Sequence, residues 1–161
     1  MSFIIINLIC VSTLVAVDQV IKLWATQNLA PVGSMPFIPH VMELRFHLNE
    51  GAAFSMLLGK QTFLIIVTGI ALVAVAWYLF FQCSTVAKRW ERWAMVLVLA
   101  GGIGNLIDRV LNGCVVDYLN CLFINFPIFN FADICVCVGV GLFVLCIFLE
   151  EQSEPEHKGK S

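Results

Sequence analysis

Four long apolar runs constrain this chain more than any other feature. Residues 3–25 carry only Asp18 and Lys22 as charges, and residues 63–81 carry none. Residues 93–111 are uncharged until Asp108 and Arg109, and residues 128–149 are apolar apart from Asn130 and Asp133 near their start. A helix needs about 20 apolar residues to cross a bilayer, and each run approaches or exceeds that length. Helices also satisfy their own backbone groups, which lipid cannot do. The expected fold is therefore all-α and polytopic, a bundle of four transmembrane helices in one membrane-embedded unit spanning residues 1–149.

Composition agrees. Only 12% of the residues are charged, against about 25% in a typical soluble domain. A net charge of -2 offers no basic patch for nucleic acid. The first run is long and lacks a basic leader, so it reads as a retained span rather than a cleaved signal peptide.

Orientation comes from the short loop at residues 82–91. With the residue that follows, it holds Lys88, Arg89 and Arg92, and the positive-inside rule places it in the cytoplasm. Both termini then lie inside, and residues 26–61 and 112–126 share the outer side. The polar, proline-containing tail at 150–161 reads as disordered and is assigned no function.

Seven cysteines raise the question of a metal or a disulfide. Cys10, Cys83, Cys135, Cys137 and Cys146 lie in or beside apolar runs, where cysteine behaves as a small buried hydrophobe. On a helix, Cys135 and Cys137 point in divergent directions, whereas zinc needs convergent ligands. No metal site is expected. Cys114 and Cys121 share an outer loop, and the sequence leaves their pairing open.

Pro31, Pro36 and Pro39 rule out a long helix in the first outer segment. From Val41 to Asn49 the chain alternates. Met42, Leu44, Phe46 and Leu48 form one face, and Glu43, Arg45, His47 and Asn49 the other, which predicts a half-buried strand. Asn112-Gly113 is placed to end the third span. Residues 115–126 are rich in β-branched and aromatic side chains and suit a second strand.

Charges inside a span cost roughly 2.5–3.5 kcal/mol on insertion scales and usually pair or work. Asp18 and Lys22 are four apart, so they share a face. Either an internal ion pair or direct substrate contact accounts for them. Asn105, Asp108 and Arg109 also share a face, which suits a lipid or peptide carbonyl. An interfacial arginine that merely snorkels is the plainer alternative. Ala100, Gly101 and Gly104 permit close helix approach, and a phosphate-binding glycine loop has no place in a span. Asn49-Glu50-Gly51-Ala52-Ala53-Phe54-Ser55 allows close backbone approach or makes a tight turn.

Asp117 and Asp133 each sit in apolar company, on either side of the second outer segment, at the same side of the membrane and near the same depth. Two carboxylates close together in a low dielectric share a proton. The ionised one can activate water while the protonated one polarises a carbonyl. Two ordinary helix-end aspartates are the alternative.

Asp18-Gln19 with Lys22, Asn49-x-Gly51-Ala-Ala-Phe54, Gly101-Gly-x-Gly-Asn105-x-x-Asp108-Arg109, Val115-Val-Asp117-Tyr118 and Phe129-Asn130-x-Ala-Asp133 occur in this order. Together they resemble the lipoprotein signal peptidase family, also called signal peptidase II, from about Asp18 to Leu149. Tyr118 stands where that family commonly has phenylalanine. The resemblance implies a four-helix bundle with a small extracytoplasmic β-cradle and a mobile segment over the site. It implies an aspartic endopeptidase of the bacterial inner membrane, with Asp117 and Asp133 as the catalytic dyad near the outer face. Asn49, Gly51, Asn105, Arg109 and Asn130 would line the pocket, and Asp18, Lys22 and Asp108 would support it. The implied substrates are prolipoproteins carrying diacylglyceryl on a cysteine, cut just before that cysteine. Membrane lipids and globomycin-type inhibitors are the other implied partners, no cofactor is implied, and a monomer is expected. Two other classes compete: a small transporter or ion-conducting subunit using the intramembrane charges, and a non-catalytic lipid-binding scaffold.

Overall fold

The structure, a computed structural model, describes residues 2–51, 60–83 and 88–153. In chain order it contains α1 (Ser2–Asn28), β1 (Ser34–Ile38), β2 (Met42–Asn49), α2 (Gln61–Phe81), α3 (Arg89–Asn112), β3 (Val115–Cys121) and α4 (Phe131–Ser153). Among the described residues, four helices are long and apolar enough to cross a membrane. Large apolar side chains point outward along them, with Val73 71% and Leu111 74% exposed. Exposure on this scale suits lipid and not water.

Helix α3 is the axis. Half of its most apolar window is buried, against 17% in each of the other helices, and it packs against α1, α2 and α4. Its small residues explain how close α4 and α1 come. A Cβ on Gly101 would meet the Ala132 carbonyl oxygen, and one on Gly104 would meet Asp18 Oδ2. Toward the far end of α3 from Gly113, a core of Leu79, Cys83, Ala94, Val96 and Leu99 fills the bundle.

The ends of the helices differ from the sequence expectation. Hydropathy marks the apolar centre of a helix and misses its polar turns. Helix α3 therefore begins at Arg89, inside the expected loop. Arg92 is buried there, its guanidinium 4.6 Å from the centre of the Phe3 ring. Helix α4 runs on to Ser153, because Glu150, Glu151 and Gln152 are good helix formers. The rest of the expected disordered tail lies outside the described residues. Gly113 ends α3 as expected, at φ 71° with its N–H donating to the Arg109 carbonyl at 3.1 Å.

Beyond the helices lies a three-stranded antiparallel sheet in the order β1-β2-β3. Strand β1 has no counterpart in the sequence reading, because its prolines argue only against helix. Pro36 fits an edge strand, where a missing N–H costs no ladder bond. The second expected strand stops at Cys121. The alternation in β2 also breaks. Its register against β3 shifts between Leu44 and His47, so Leu44 and Phe46 pack over Ala25, Leu29, Val116 and Tyr118 while Leu48 stays 48% exposed. A bulge of this kind re-aims the side chains that follow it.

Candidate active site

The site is built around the first turn of α4. The first N–H groups of a helix have no partner within it. Here each finds one from a different part of the chain. The N–H of Phe131 donates to the Tyr118 hydroxyl at 3.1 Å, and that of Ala132 to Asp18 Oδ1 at 3.1 Å. The N–H of Asp133 donates to Asn130 Oδ1 at 2.9 Å, while Asp133 Oδ2 accepts the N–H of Asn130 at 3.1 Å. That last exchange is a reciprocal capping box. Together these bonds fix the backbone and the carboxylate of Asp133 at a helix N-terminus, where negative charge is favoured. They also explain why α4 starts at Phe131 and not at Ile128: Phe129 instead exchanges backbone bonds with Leu119.

Asp117 arrives from β3. It is 1% exposed, and both oxygens are held. Asn130 Nδ2 donates to Oδ1 at 2.6 Å and Asn49 Nδ2 to Oδ2 at 2.9 Å. Asn49 stands diagonally across the β2–β3 ladder from Asp117, beyond the register shift. Burial pushes the Asp117 carboxyl up to about 7; the hydrogen bond from Asn49 opposes that, and the nearby Asp133 raises it further. Asn130, itself fully buried, thus bonds to both aspartates at once.

A third asparagine completes the cradle. Asn105 Nδ2 donates to Asp133 Oδ1 at 2.8 Å. Its own Oδ1 accepts Lys22 Nζ at 2.9 Å and Asn130 Nδ2 at 3.2 Å. Lys22 is 3% exposed and pairs with Asp18 at 2.9 Å and Asp108 at 3.1 Å. Asp108 also accepts Gln19 Nε2 at 3.0 Å and the Val116 N–H at 3.1 Å. Asp18, Lys22 and Asp108 therefore face each other inside the bundle as an ion cluster. Arg109 reaches the Gly51 and Asn105 carbonyls, each at 3.3 Å, and its buried Nε has no partner among the described residues.

The expected site residues Asp18, Lys22, Asn49, Gly51, Asn105, Asp108, Arg109, Asp117, Asn130 and Asp133 lie in or beside this cluster, whereas Ala52, Ala53, Phe54 and Ser55 lie outside the described residues. All seven cysteines, Cys114 and Cys121 among them, are free thiols. Two contributions escape the sequence reading. Gln19 ties Asp18, Asp108 and the Gly104 carbonyl together, and its position next to Asp18 was the available signal. The Tyr118 hydroxyl caps α4, which nothing in a linear reading announces.

Among the described residues, two cavities open from the cluster, sharing Asn105, Arg109, Asp133 and Cys137. One, of about 450 Å³, lies between α4 and the segment Phe126 to Phe129. The other, of about 370 Å³, runs between α2 and α4 over the Gly102 face of α3. Chemically, the arrangement offers two fixed carboxyl groups in a polar nest, with largely apolar cavities beside it.

Fold and site together define a polytopic membrane protein with two aspartates tied to one asparagine at one end of its bundle, and solved structures of that shape exist. A bacterial membrane enzyme determined in meso at 2.3 Å resolution matches with a TM-score of 0.83 and 34% identity, covering 99% of this chain and 96% of its own. A second, at 1.9 Å resolution, matches with a TM-score of 0.80 and 35% identity, covering 90% and 94%. The lipoprotein signal peptidase of Lactococcus lactis subsp. lactis (strain IL1403) is 36% identical over 149 residues, 92% of this chain and 97% of that protein. That of Streptococcus pyogenes serotype M5 (strain Manfredo) is 38% identical over 138 residues, 86% and 90% respectively. The family model for signal peptidase (SPase) II matches residues 10–149. The chain belongs to the signal peptidase II family. It is accordingly a peptidase of prolipoprotein signal peptides and a multi-pass protein of a bacterial membrane.

Proposed function

We propose that the chain is an intramembrane aspartic endopeptidase that cuts diacylglyceryl-modified prolipoproteins just before the lipidated cysteine. The observation that carries this reading is Asn130, which holds Asp117 by its side chain and Asp133 by its capping box. One residue thereby sets the relative position of two carboxylates from different elements, as a shared-proton pair requires.

The roles follow from the surroundings. Asp117, buried and pushed up to about 7, holds the proton. Asp133, at a helix N-terminus and fed by a backbone N–H and Asn105, is the ionised partner. Asp133 takes a proton from water as its oxygen attacks the scissile carbonyl carbon. Asp117 donates to the carbonyl oxygen, giving a neutral tetrahedral diol. As the diol collapses, Asp133 delivers its proton to the departing amine of the cysteine. The C–N bond breaks, and Asp117 recovers its proton from the re-forming carboxyl. Preorganised donors that need not move during reaction are the main source of such rate enhancement.

The substrate's acyl chains gain about 0.8 kcal/mol per buried CH2 in the membrane. They hold the scissile bond at the bilayer surface, where the outer-side dyad meets it. Both termini lie in the cytoplasm, the membrane is the bacterial inner membrane, and the active unit is a monomer. Asn49, Gly51, Asn105, Arg109 and Asn130 contact substrate or globomycin-type inhibitors, while Asp18, Lys22 and Asp108 act as scaffold. A transporter is less well supported, because Asp18, Lys22, Asp108, Asp117 and Asp133 gather at one end of the bundle and α2 carries no charge to continue a path.

The test is product mapping. Purified protein in nanodiscs is incubated with a lipidated prolipoprotein peptide and a chelator, and the products are weighed by mass spectrometry. A single cut before the lipidated cysteine, insensitive to chelator and blocked by globomycin, is expected. Cleavage elsewhere, or none, contradicts the reading.

A further inference from the structure

The two cavities diverge from one polar centre, and the proposed substrate has two apolar arms that diverge from one cysteine. We infer that the groove between α2 and α4 takes an acyl chain of the diacylglyceryl group, an assignment that rests on the function proposed above. The groove is walled by Val67, Thr68, Ala71 and Val75 of α2 and by Val136 and Cys137 of α4, and floored by Val98 and Gly102 of α3. It leads to Asn105, Arg109 and Asp133 without interruption.

Size decides which arm fits. From Val98 to Arg109 the floor extends about 16 Å at ~1.5 Å per residue. That is close to the ~15 Å depth of one leaflet of a ~30 Å hydrocarbon core. The groove holds about 370 Å³, and with that length its shape suits one extended hydrocarbon chain. The leaflet depth also matches an acyl chain and not a segment that crosses both leaflets.

Shape points the same way. Gly102 lets the Leu72 side chain of α2 pack into the floor, since a Cβ there would collide with it. Ala71 is the small residue on the facing wall, exposed within the groove. These two positions set the width, and Val75 and Val98 mark the depth. Arg109 stands at the mouth, where the ester carbonyls of the chain would lie. The groove therefore reads the lipid, and the cavity beside Phe126 to Phe129 is left for the extended residues at the scissile bond.

The test uses two prolipoprotein peptides of one sequence, one carrying dipalmitoylglyceryl and one dihexanoylglyceryl on the cysteine. Each is assayed in nanodiscs with the full chain. The wild type should prefer the long-chain peptide in kcat/KM. Ala71→Trp should lower the ratio of long-chain to short-chain kcat/KM at least tenfold, through KM and not kcat. Val138→Trp, in the other cavity, should leave that ratio as in the wild type. If Ala71→Trp does not accumulate, Thr68→Leu on the same wall should lower the ratio at least threefold. A ratio unmoved by both wall variants, or moved more by Val138→Trp, overturns the assignment while the peptidase reading stands. No cleavage of either peptide by the wild type overturns the peptidase reading itself.

Discussion

Asp117 and Asp133 are both aspartates in one nest, yet their surroundings differ. Asp117 comes from a strand, is sealed from solvent, and is held by two side-chain amides. Asp133 sits on a helix N-terminus and accepts a backbone N–H. The pH dependence follows. With its carboxyl raised from an ordinary 3.8 to about 7, Asp117 binds its proton more tightly folded than unfolded. Its contribution to stability is present below the unfolded value and is lost as pH rises through about 7. Cleavage that needs this proton should fall above about pH 7, seen as the alkaline limb of kcat/KM. Asn49 donates to the charged form, so Asn49→Ala should move that limb to higher pH. A limb that stays put or moves down would show that another group holds the proton. The candidate pair itself was legible in the sequence, because two carboxylates in apolar company on one side of a membrane are conspicuous. The asparagine that joins them was only one polar residue among several.

At the scale of elements, the joint between α3 and α4 sets the geometry. Gly101 lies against the Ala132 carbonyl, one residue before Asp133. Gly101→Ala pushes a methyl into backbone that cannot yield cheaply, at a cost of roughly 1–3 kcal/mol. Its thermal midpoint in detergent should fall and its cleavage rate with it; a wild-type midpoint would mean the helices have slack. The capping of α4 gives a milder case. Tyr118→Phe removes the acceptor of the Phe131 N–H, a loss of about 1 kcal/mol. A small drop in midpoint should therefore accompany a cleavage rate reduced severalfold at most, checked by the same two measurements. An unchanged midpoint would show that the hydroxyl is dispensable. The four spans were legible because lipid demands long apolar helices. Strand β1, the bulge in β2 and the caps from Tyr118 and Asp18 were not. They depend on contacts between residues far apart in the chain, and the Asp18 cap spans 114 positions.

The whole molecule is a polar nest carried on an apolar frame. Its ion cluster of Asp18, Lys22 and Asp108 is costly to bury and remains only because every member is paired. That cluster anchors Asn105, which holds Asp133, and binds the Val116 N–H beside Asp117. Lipid-facing helices, a short sheet and a buried ion cluster therefore converge on two carboxyl groups. The measurement that bears on them most directly compares wild type, Asp117→Asn and Asp133→Asn in the lipidated-peptide assay, with inserted protein quantified for each. Both variants should insert at wild-type levels and lose cleavage by at least a thousandfold. Full cleavage by either one would remove that aspartate from the chemistry.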